Sequence, residues 1–231
     1  MLENLKNQFI LNFIDDDRWK YLVNGLGTTL KITFFAAVLG LFIGFIIAMI
    51  RGAYQGTHKY KIPNAICNIY LTVIRGTPVV VQLMIIYFVI FGSVRIDKTL
   101  VAIIAFGINS GAYQAEIFRS GIQAIPVGQY EAGRSLGFSY KQTMMTVIMP
   151  QAIKNVIPTL LNEFISLLKE TSVAGYIALE DLTKGGDIIR SRTYSAFMPL
   201  IAVAVIYLLM VLIMEQIVKI IERRLHKYDK K

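Results

Sequence analysis

Residues 131–150 read EAGRSLGFSYKQTMMTVIMP, a polar, glycine-punctuated stretch between two apolar segments long enough to cross a membrane. Short connections are the norm in compact folds, so a loop of this length between spans has a task of its own. Local signals divide it into parts. Pro126 interrupts the preceding apolar segment, and residues 129–136 predict a short helix. Gly137 falls where a left-handed C-terminal cap belongs. Ser139 followed by Gln142 fits a capping box that opens the next helix, and Pro150 marks the start of the following span. A helix–Gly–helix hairpin presents a compact knob, where a flexible tether would need none of this punctuation.

The flanks of the loop set the class of protein. Of 231 residues, 55% are hydrophobic and 17% charged. A soluble domain carries about 25% charged residues, and the deficit here comes from long apolar runs, the mark of a polytopic membrane protein. The net charge of +9 lies in short inter-span loops and the tail with no aromatic-interleaved patch, which argues against nucleic acid. The lone Cys67 excludes an internal disulfide and a cysteine zinc cage, and reads as a small packing residue. Residues 1–21 are polar, include Asp15, Asp16 and Asp17, and lack the basic start and apolar core of a cleaved signal peptide.

Five apolar segments at about 22–50, 63–91, 99–124, 150–174 and 196–220 each supply the roughly 20 residues a crossing helix needs. Residues 51–61 carry Arg51, Lys59 and Lys61 without an acid, the 125–149 loop holds Arg134 and Lys141 against Glu131, and the tail from 219 is strongly basic. By the positive-inside rule these regions are cytoplasmic. The N-terminus, 92–98 and 175–195 then lie outside. The expectation is an all-α integral membrane protein, one domain over 1–231, with five transmembrane helices, N-terminus outside and C-terminus cytoplasmic.

Within the spans, polar residues keep helical spacing. Ala36, Gly40, Gly44 and Ala48 form a small-residue stripe, either an internal packing seam or a subunit interface. The second segment breaks at Gly76-Thr77-Pro78, about 20 Å in from Pro63. Non-helical backbone at such depth must be buried in protein or line a wet cavity, and the half-helix begun by Thr77 and Pro78 favours an anion at its start. Asn109, Tyr113, Glu116, Ser120 and Gln123 make one polar stripe on the third span. Gln151, Asn155, Thr159, Asn162, Ser166 and Glu170 repeat the pattern on the fourth, with Glu163 at its shoulder. Asn64, Asn68 and Thr72 either line an inner vestibule or pack against a neighbour. His58 and His226 sit in basic loops without metal-site spacing, and both read as solvated.

These residues resemble a known family. Glu131-Ala132-Gly133, then Gly137, then Val147-Ile148-Met149-Pro150 resembles the EAA loop of ABC importer permeases, with Gly133 in place of the third Ala, Val147 of the Ile and Met149 of the Leu. Arg75-Gly76-Thr77-Pro78, GAYQAEIFRSGI (111–122) and NEFISLLKETS (162–172) further resemble the polar amino-acid branch, the histidine/glutamine/arginine-type permeases. The resemblance covers nearly the whole chain from residue 22, and the last stretches set it apart from the methionine and sugar branches.

The resemblance implies a transmembrane subunit paired with a second copy or a homologous permease chain in a prokaryotic cytoplasmic membrane. It also implies two cytoplasmic ABC ATPase subunits and an extracytoplasmic amino-acid-binding protein. Residues Glu131, Ala132, Gly133, Arg134, Ser135, Leu136 and Gly137 would form the coupling element, with Glu131 capping its helix, pairing with a basic residue of the ATPase, or simply solvated. No GxxxxGK[ST] phosphate loop occurs, so ATP and Mg belong to the partner ATPase, and this chain is expected to bind no cofactor and no metal and to catalyse no reaction.

An amino acid is a zwitterion, and its site needs a cation or helix N-terminus for the carboxylate and an anion for the ammonium. Arg75 with Thr77 supplies the first, and Glu163 with Asn162 the second. Glu116 is left over, and an extra buried anion would suit a cationic side chain such as that of Arg, Lys or His; glutamine, glutamate and other polar amino acids are the alternative. Arg75 pairing with Glu116 or Glu163 to lock helices is the structural alternative to ligand contact. Asn109, Tyr113, Asn155 and Ser166 serve either as inter-helix bonding groups or as ligand contacts, and Asn68 and Thr72 complete the candidate list. An ATPase-independent transporter or channel would leave the knob without a purpose, and no metal cluster or nucleophile–base pair points to a membrane enzyme.

Overall fold

The structure, a computed structural model, describes residues 2–57 and 59–225. His58, His226 and the charges beyond Leu225 that entered the orientation argument lie outside the described residues. Among those described, all regular structure is helical. In chain order the helices are α1 (Leu2–Phe9), α2 (Trp19–Thr57), α3 (Lys61–Gly76), α4 (Val79–Ile85), α5 (Lys98–Gln123), α6 (Val127–Ser135), α7 (Tyr140–Thr143), α8 (Met149–Glu170), α9 (Leu182–Thr193) and α10 (Phe197–Leu225).

The scaffold is a close pair, α2 against α5. At 39 residues, α2 is about 58 Å long, well beyond the ~30 Å of a hydrocarbon core. Its stripe of small residues faces α5. A Cβ built on Gly40 would lie 3.1 Å from the Gly111 nitrogen, and one on Gly44 2.8 Å from the Ala115 nitrogen. From the other side, Gly107 accommodates Leu39 and Gly111 accommodates Ile43. The stripe is therefore an internal seam, which settles the alternative left open above. In lipid, apolar burial between helices gains little, and van der Waals packing of close backbones takes its place. Two apolar clusters flank the seam: Ile32, Phe106, Leu83 and Leu167 toward the N-terminal end of α2, and Ile47, Leu71 and Ala115 around the buried Cys67 toward its C-terminal end.

The second apolar segment is not one straight span. α3 ends at Gly76, and α4, extended by a π-helical turn to Ile90, departs at 110°. Among the described residues three helices, α2, α5 and α10, have the length and apolarity to cross a membrane, and the bent pair is a fourth candidate. α8 has the length at 22 residues, but Lys154, Glu163, Lys169 and Glu170 keep it short of that apolarity.

Two of the segments assigned to the outer side carry defined structure. The 175–195 stretch holds α9, started by the fully buried Asp181, whose carboxylate accepts from the Thr183 and Lys184 amides at 3.2 and 3.0 Å. Burial pushes that carboxyl upward in pKa and the two amides pull it back. α9 lies against α2 and α10 through glycine: a Cβ on Gly185 would meet the Tyr21 carbonyl oxygen at 2.5 Å, and one on Gly186 the Val203 side chain at 2.4 Å. The N-terminal arm is pinned here too. Buried Asn12 donates to the Gln8 carbonyl at 2.8 Å and accepts from Thr193 Oγ1 at 2.8 Å.

A side chain at the seam has no space to enter. Gly44→Val is expected to destabilise the protein by about 1–3 kcal/mol through overpacking. Gly27→Ala, on the same helix with nothing within 4 Å, should stabilise it by about 0.5–1 kcal/mol. Thermal unfolding in detergent reads both, and equal midpoints for the two variants would refute the seam.

Candidate functional site

A cleft of about 330 Å³ opens between α3, α5 and α8. It brings together Arg75 from the end of α3, Tyr113 and Glu116 from α5, and Asn162, Glu163 and Ser166 from α8, with Ile117, Ser120 and Thr159 completing the wall. The periodicity explains the convergence. Residues three and four apart share a helix face, so the polar stripes of α5 and α8 meet each other instead of lipid. Ser120 and Thr159 stood in those stripes but were not singled out as site residues.

The two carboxylates of the cleft are held differently. Glu163 Oε1 accepts from Ser110 Oγ at 3.0 Å, and Ser110 Oγ in turn accepts from Gln114 Nε2 at 3.0 Å. Gln114 reaches across the seam to the Ala37 carbonyl at 3.3 Å, so a chain of hydrogen bonds from α2 orients Glu163. Glu116 faces three arginines. Arg119 clasps it with two nitrogens, Nε at 3.0 Å to Oε2 and Nη2 to Oε1, while Arg51 and Arg75 each place an Nη1 at 3.9 Å from Oε2. Glu116 is thus no unspent anion, which corrects the premise of the cationic preference. Arg75 also stacks its guanidinium 5.7 Å from the centre of the Tyr113 ring.

Four candidates stand outside the cleft. Asn68 and Thr72 are exposed on α3. Thr77 and the buried Asn109 both bond to Gln82, Asn109 Nδ2 at 2.9 Å from its Oε1. The start of α4 does not line the cleft either, so the anion-favouring half-helix lies apart from Arg75's partners. Sequence reasoning missed Gln82, Ser110, Arg51 and Arg119 as site residues. Arg119 carried a signal, since it follows Glu116 by one helical turn. Arg51 lies on another helix, and nothing local joins it to Glu116.

The 131–150 stretch folds as a tight hairpin. α6 ends in paired terminal bonds, Phe138 N–H to the Gly133 carbonyl at 3.2 Å and Gly137 N–H to the Arg134 carbonyl at 3.0 Å, with Gly137 at φ +83°. Ser139 and Gln142 form the reciprocal capping box. The hairpin closes on Gly133, where an added Cβ would stand 2.7 Å from Thr143 Cγ2, and on the Tyr130–Tyr140 ring pair at 5.8 Å. Glu131 is exposed in the body of α6, away from its start, and so does not cap it. Val127 and Leu136 are 71% and 76% exposed, so the knob presents apolar side chains among its polar ones. Pro150 does not open a separate helix. Winding runs on from α7 through a π-helical turn, Met144–Ile148, into α8, so one helical run joins the knob to Glu163.

A helical membrane chain whose polar cleft is tied by one helix to an exposed hairpin has the build of a transporter's membrane subunit. The chain belongs to the family described as binding-protein-dependent transport system inner membrane component, whose model matches residues 40–227. It is 39% identical over 198 residues to the glutamine transport system permease protein GlnP of Escherichia coli strain K12, covering 84% of this chain and 90% of that one. It is 37% identical over 211 residues to the arginine transport system permease protein ArtQ of Bacillus subtilis strain 168, with 90% and 94% covered. Among solved structures, an amino acid ABC transporter crystallised with histidines superposes with a TM-score of 0.82 at 42% identity, covering 89% of this chain and 94% of that one. Membership makes this chain an ABC-transporter permease of the inner membrane.

Proposed function

We propose that this chain is the membrane subunit of an ATP-driven amino-acid importer, and that the Arg75–Glu163 cleft receives the amino acid. The observation that carries the reading is the cleft itself: an arginine from α3 and a carboxylate from α8 with separate partners, complementary to a zwitterion. Arg75 takes the carboxylate, and Glu163 with Asn162 takes the ammonium, with Tyr113 and Ser166 alongside. The names of the relatives, for glutamine and arginine transport, support the substrate class.

The side chain transported is polar and neutral, with glutamine as the model substrate. The preference for cationic substrates rested on Glu116, and three arginines face that carboxylate. A basic side chain would meet surplus positive charge there. Five crossings, N-terminus outside and C-terminus inside, put the hairpin in the cytoplasm. α8 then crosses with Glu163 turned to the cleft.

The working unit is this chain with a second copy or a homologous permease chain, on two ABC ATPase subunits that bind ATP and Mg, fed by an extracytoplasmic binding protein. Residues 131–137 seat in a groove of the ATPase, with Leu136 as apolar anchor and Glu131 toward a basic partner. Closure of the ATPases moves the hairpin as a rigid body, α8 follows, and the cleft rocks between outward- and inward-open forms around a fixed site.

Gly137→Val forces a β-branched residue into positive φ, and Glu131→Lys reverses the charge of the contact. Each is expected to lower amino-acid uptake per ATP hydrolysed in the reconstituted complex, and an unchanged ratio would refute the docking role. For the cleft, Glu163→Gln should weaken binding at least tenfold, about 1.4 kcal/mol, read by calorimetry on the purified complex. In the same assay L-glutamine should outbind L-arginine and L-lysine, and the reverse order would restore the cationic reading.

A further inference from the structure

The break between α3 and α4 sets free polar backbone at a depth where water does not reach lipid-facing groups. The last carbonyls of a helix have no intrahelical partner, and in hydrocarbon each must find one within the protein. Thr77 Oγ1 takes the Val73 carbonyl at 2.8 Å. The next one, Ile74, is taken by a residue from the far side of the break: Gln82 Nε2 lies 2.7 Å from the Ile74 oxygen, 3.0 Å from the Thr77 oxygen and 2.8 Å from Thr77 Oγ1. Its other end is tethered to α5, where Oε1 accepts from Asn109 Nδ2 at 2.9 Å. Gln82 is 8% exposed and Asn109 2%. One amide thus joins the end of α3, the first turn of α4 and the middle of α5.

The side chain that follows the clamped carbonyl is Arg75. Its guanidinium meets Tyr113 and Glu116 on α5, and Tyr113 lies one helical turn beyond Asn109, the anchor of the clamp. The clamp and the arginine therefore share a single reference helix. We propose that Gln82 is a positioning residue for substrate recognition: by fixing the α3–α4 break against α5, it holds Arg75 in register to take the carboxylate of the amino acid. The inference rests on the reading of the cleft as an amino-acid site.

The chemistry demands an amide of this length. Leucine, of similar volume, would leave the Ile74 carbonyl and the Asn109 amide without partners. Glutamate offers no donor to the carbonyls. Asparagine is shorter by one methylene and cannot span both ends. A loosened break swings Arg75, so the loss should fall on the carboxylate and spare recognition of the ammonium.

The test uses the full complex with its ATPase subunits and two ligand pairs: L-glutamine and L-arginine, each with the amide in which the α-carboxylate is a carboxamide. Calorimetry gives the ratio of amide to acid dissociation constants. The wild type should prefer the acid by about tenfold or more, and Gln82→Leu and Arg75→Ala should each bring the ratio to within about threefold of unity. Asn109→Leu, which keeps the bonds across the break and removes the tether, should lower it in part. If Arg75→Ala abolishes the preference while Gln82→Leu and Asn109→Leu retain it, the positioning role is overturned and the cleft reading stands. Affinities for acid and amide that fall together in Gln82→Leu, with the ratio intact, overturn it equally. If the wild type shows no preference or Arg75→Ala keeps it, the reading of Arg75 fails and takes the inference with it. Should Gln82→Leu not assemble, Asn109→Leu decides: a lowered ratio supports the role, and a wild-type ratio refutes it.

Discussion

The backbone contact of α2 with α5 is the constraint from which the other features follow. Gly40 and Gly44 stand against the backbone at Gly111 and Ala115, at distances that admit no Cβ without displacement. Within a bilayer the solvent is as apolar as a leucine side chain, so helices are held by packing and hydrogen bonds more than by expulsion of water. The seam makes α5 a fixed wall. That wall orients Glu163 through Ser110 and Gln114, seats Tyr113 and Glu116, and anchors the α3–α4 break through Asn109. The opposite wall, α8, has no comparable glycine seam with α5 over most of its length; Gly121, at the end of α5, meets Val156. In the proposed mechanism α5 is the fixed wall of the cleft and α8 the wall that moves.

α8 is joined to the hairpin as to a handle. α8 is wound continuously with α7, and α7 is locked to α6 by Gly133, the Tyr130–Tyr140 pair and the capping box. A displacement of the hairpin would be passed to α8, because the joints along the way are helical or closely packed. The π-helical turn at Met144–Ile148 lies on that path where the hairpin becomes the span, and Pro158 interrupts the hydrogen-bond ladder further along α8. Turns of the π type often sit at functional joints in helices.

How much of this could be read from the sequence depended on how local the cause was. Gly137 and the Ser139–Gln142 box were legible because a positive φ and a capping pair are decided within four residues. The stripes on α2, α5 and α8 were legible as faces, since helical spacing is a property of one segment. Their partners were not: only the folded chain shows α2 turned to α5 and the α5 stripe turned to α8. Glu116 illustrates the limit. Arg119, at i+3, could have been matched to it from spacing alone, whereas Arg51 and Arg75 arrive from other helices and change its meaning from free anion to neutralised one. Gln82 is one polar residue in an apolar run; Ile74 and Thr77 are near it in sequence, but only the fold shows the bend that brings its amide onto their oxygens and the Asn109 partner on α5. The 175–195 stretch was placed outside by its charge balance alone; the helix in it, α9, is capped by Asp181 and held by glycine contacts with α2 and α10.

The central claim is that the state of the ATPase governs which side of the membrane the cleft faces, through the hairpin and α8. The most direct measurement is thiol labelling of Ser166→Cys in a Cys67→Ala background, with the complete complex in sealed vesicles and a membrane-impermeant maleimide on one side at a time. The account predicts that Ser166→Cys is labelled from the cytoplasmic side without nucleotide and from the external side when the ATPases are trapped closed. Labelling from the same side in both states, or at equal rates, would contradict it.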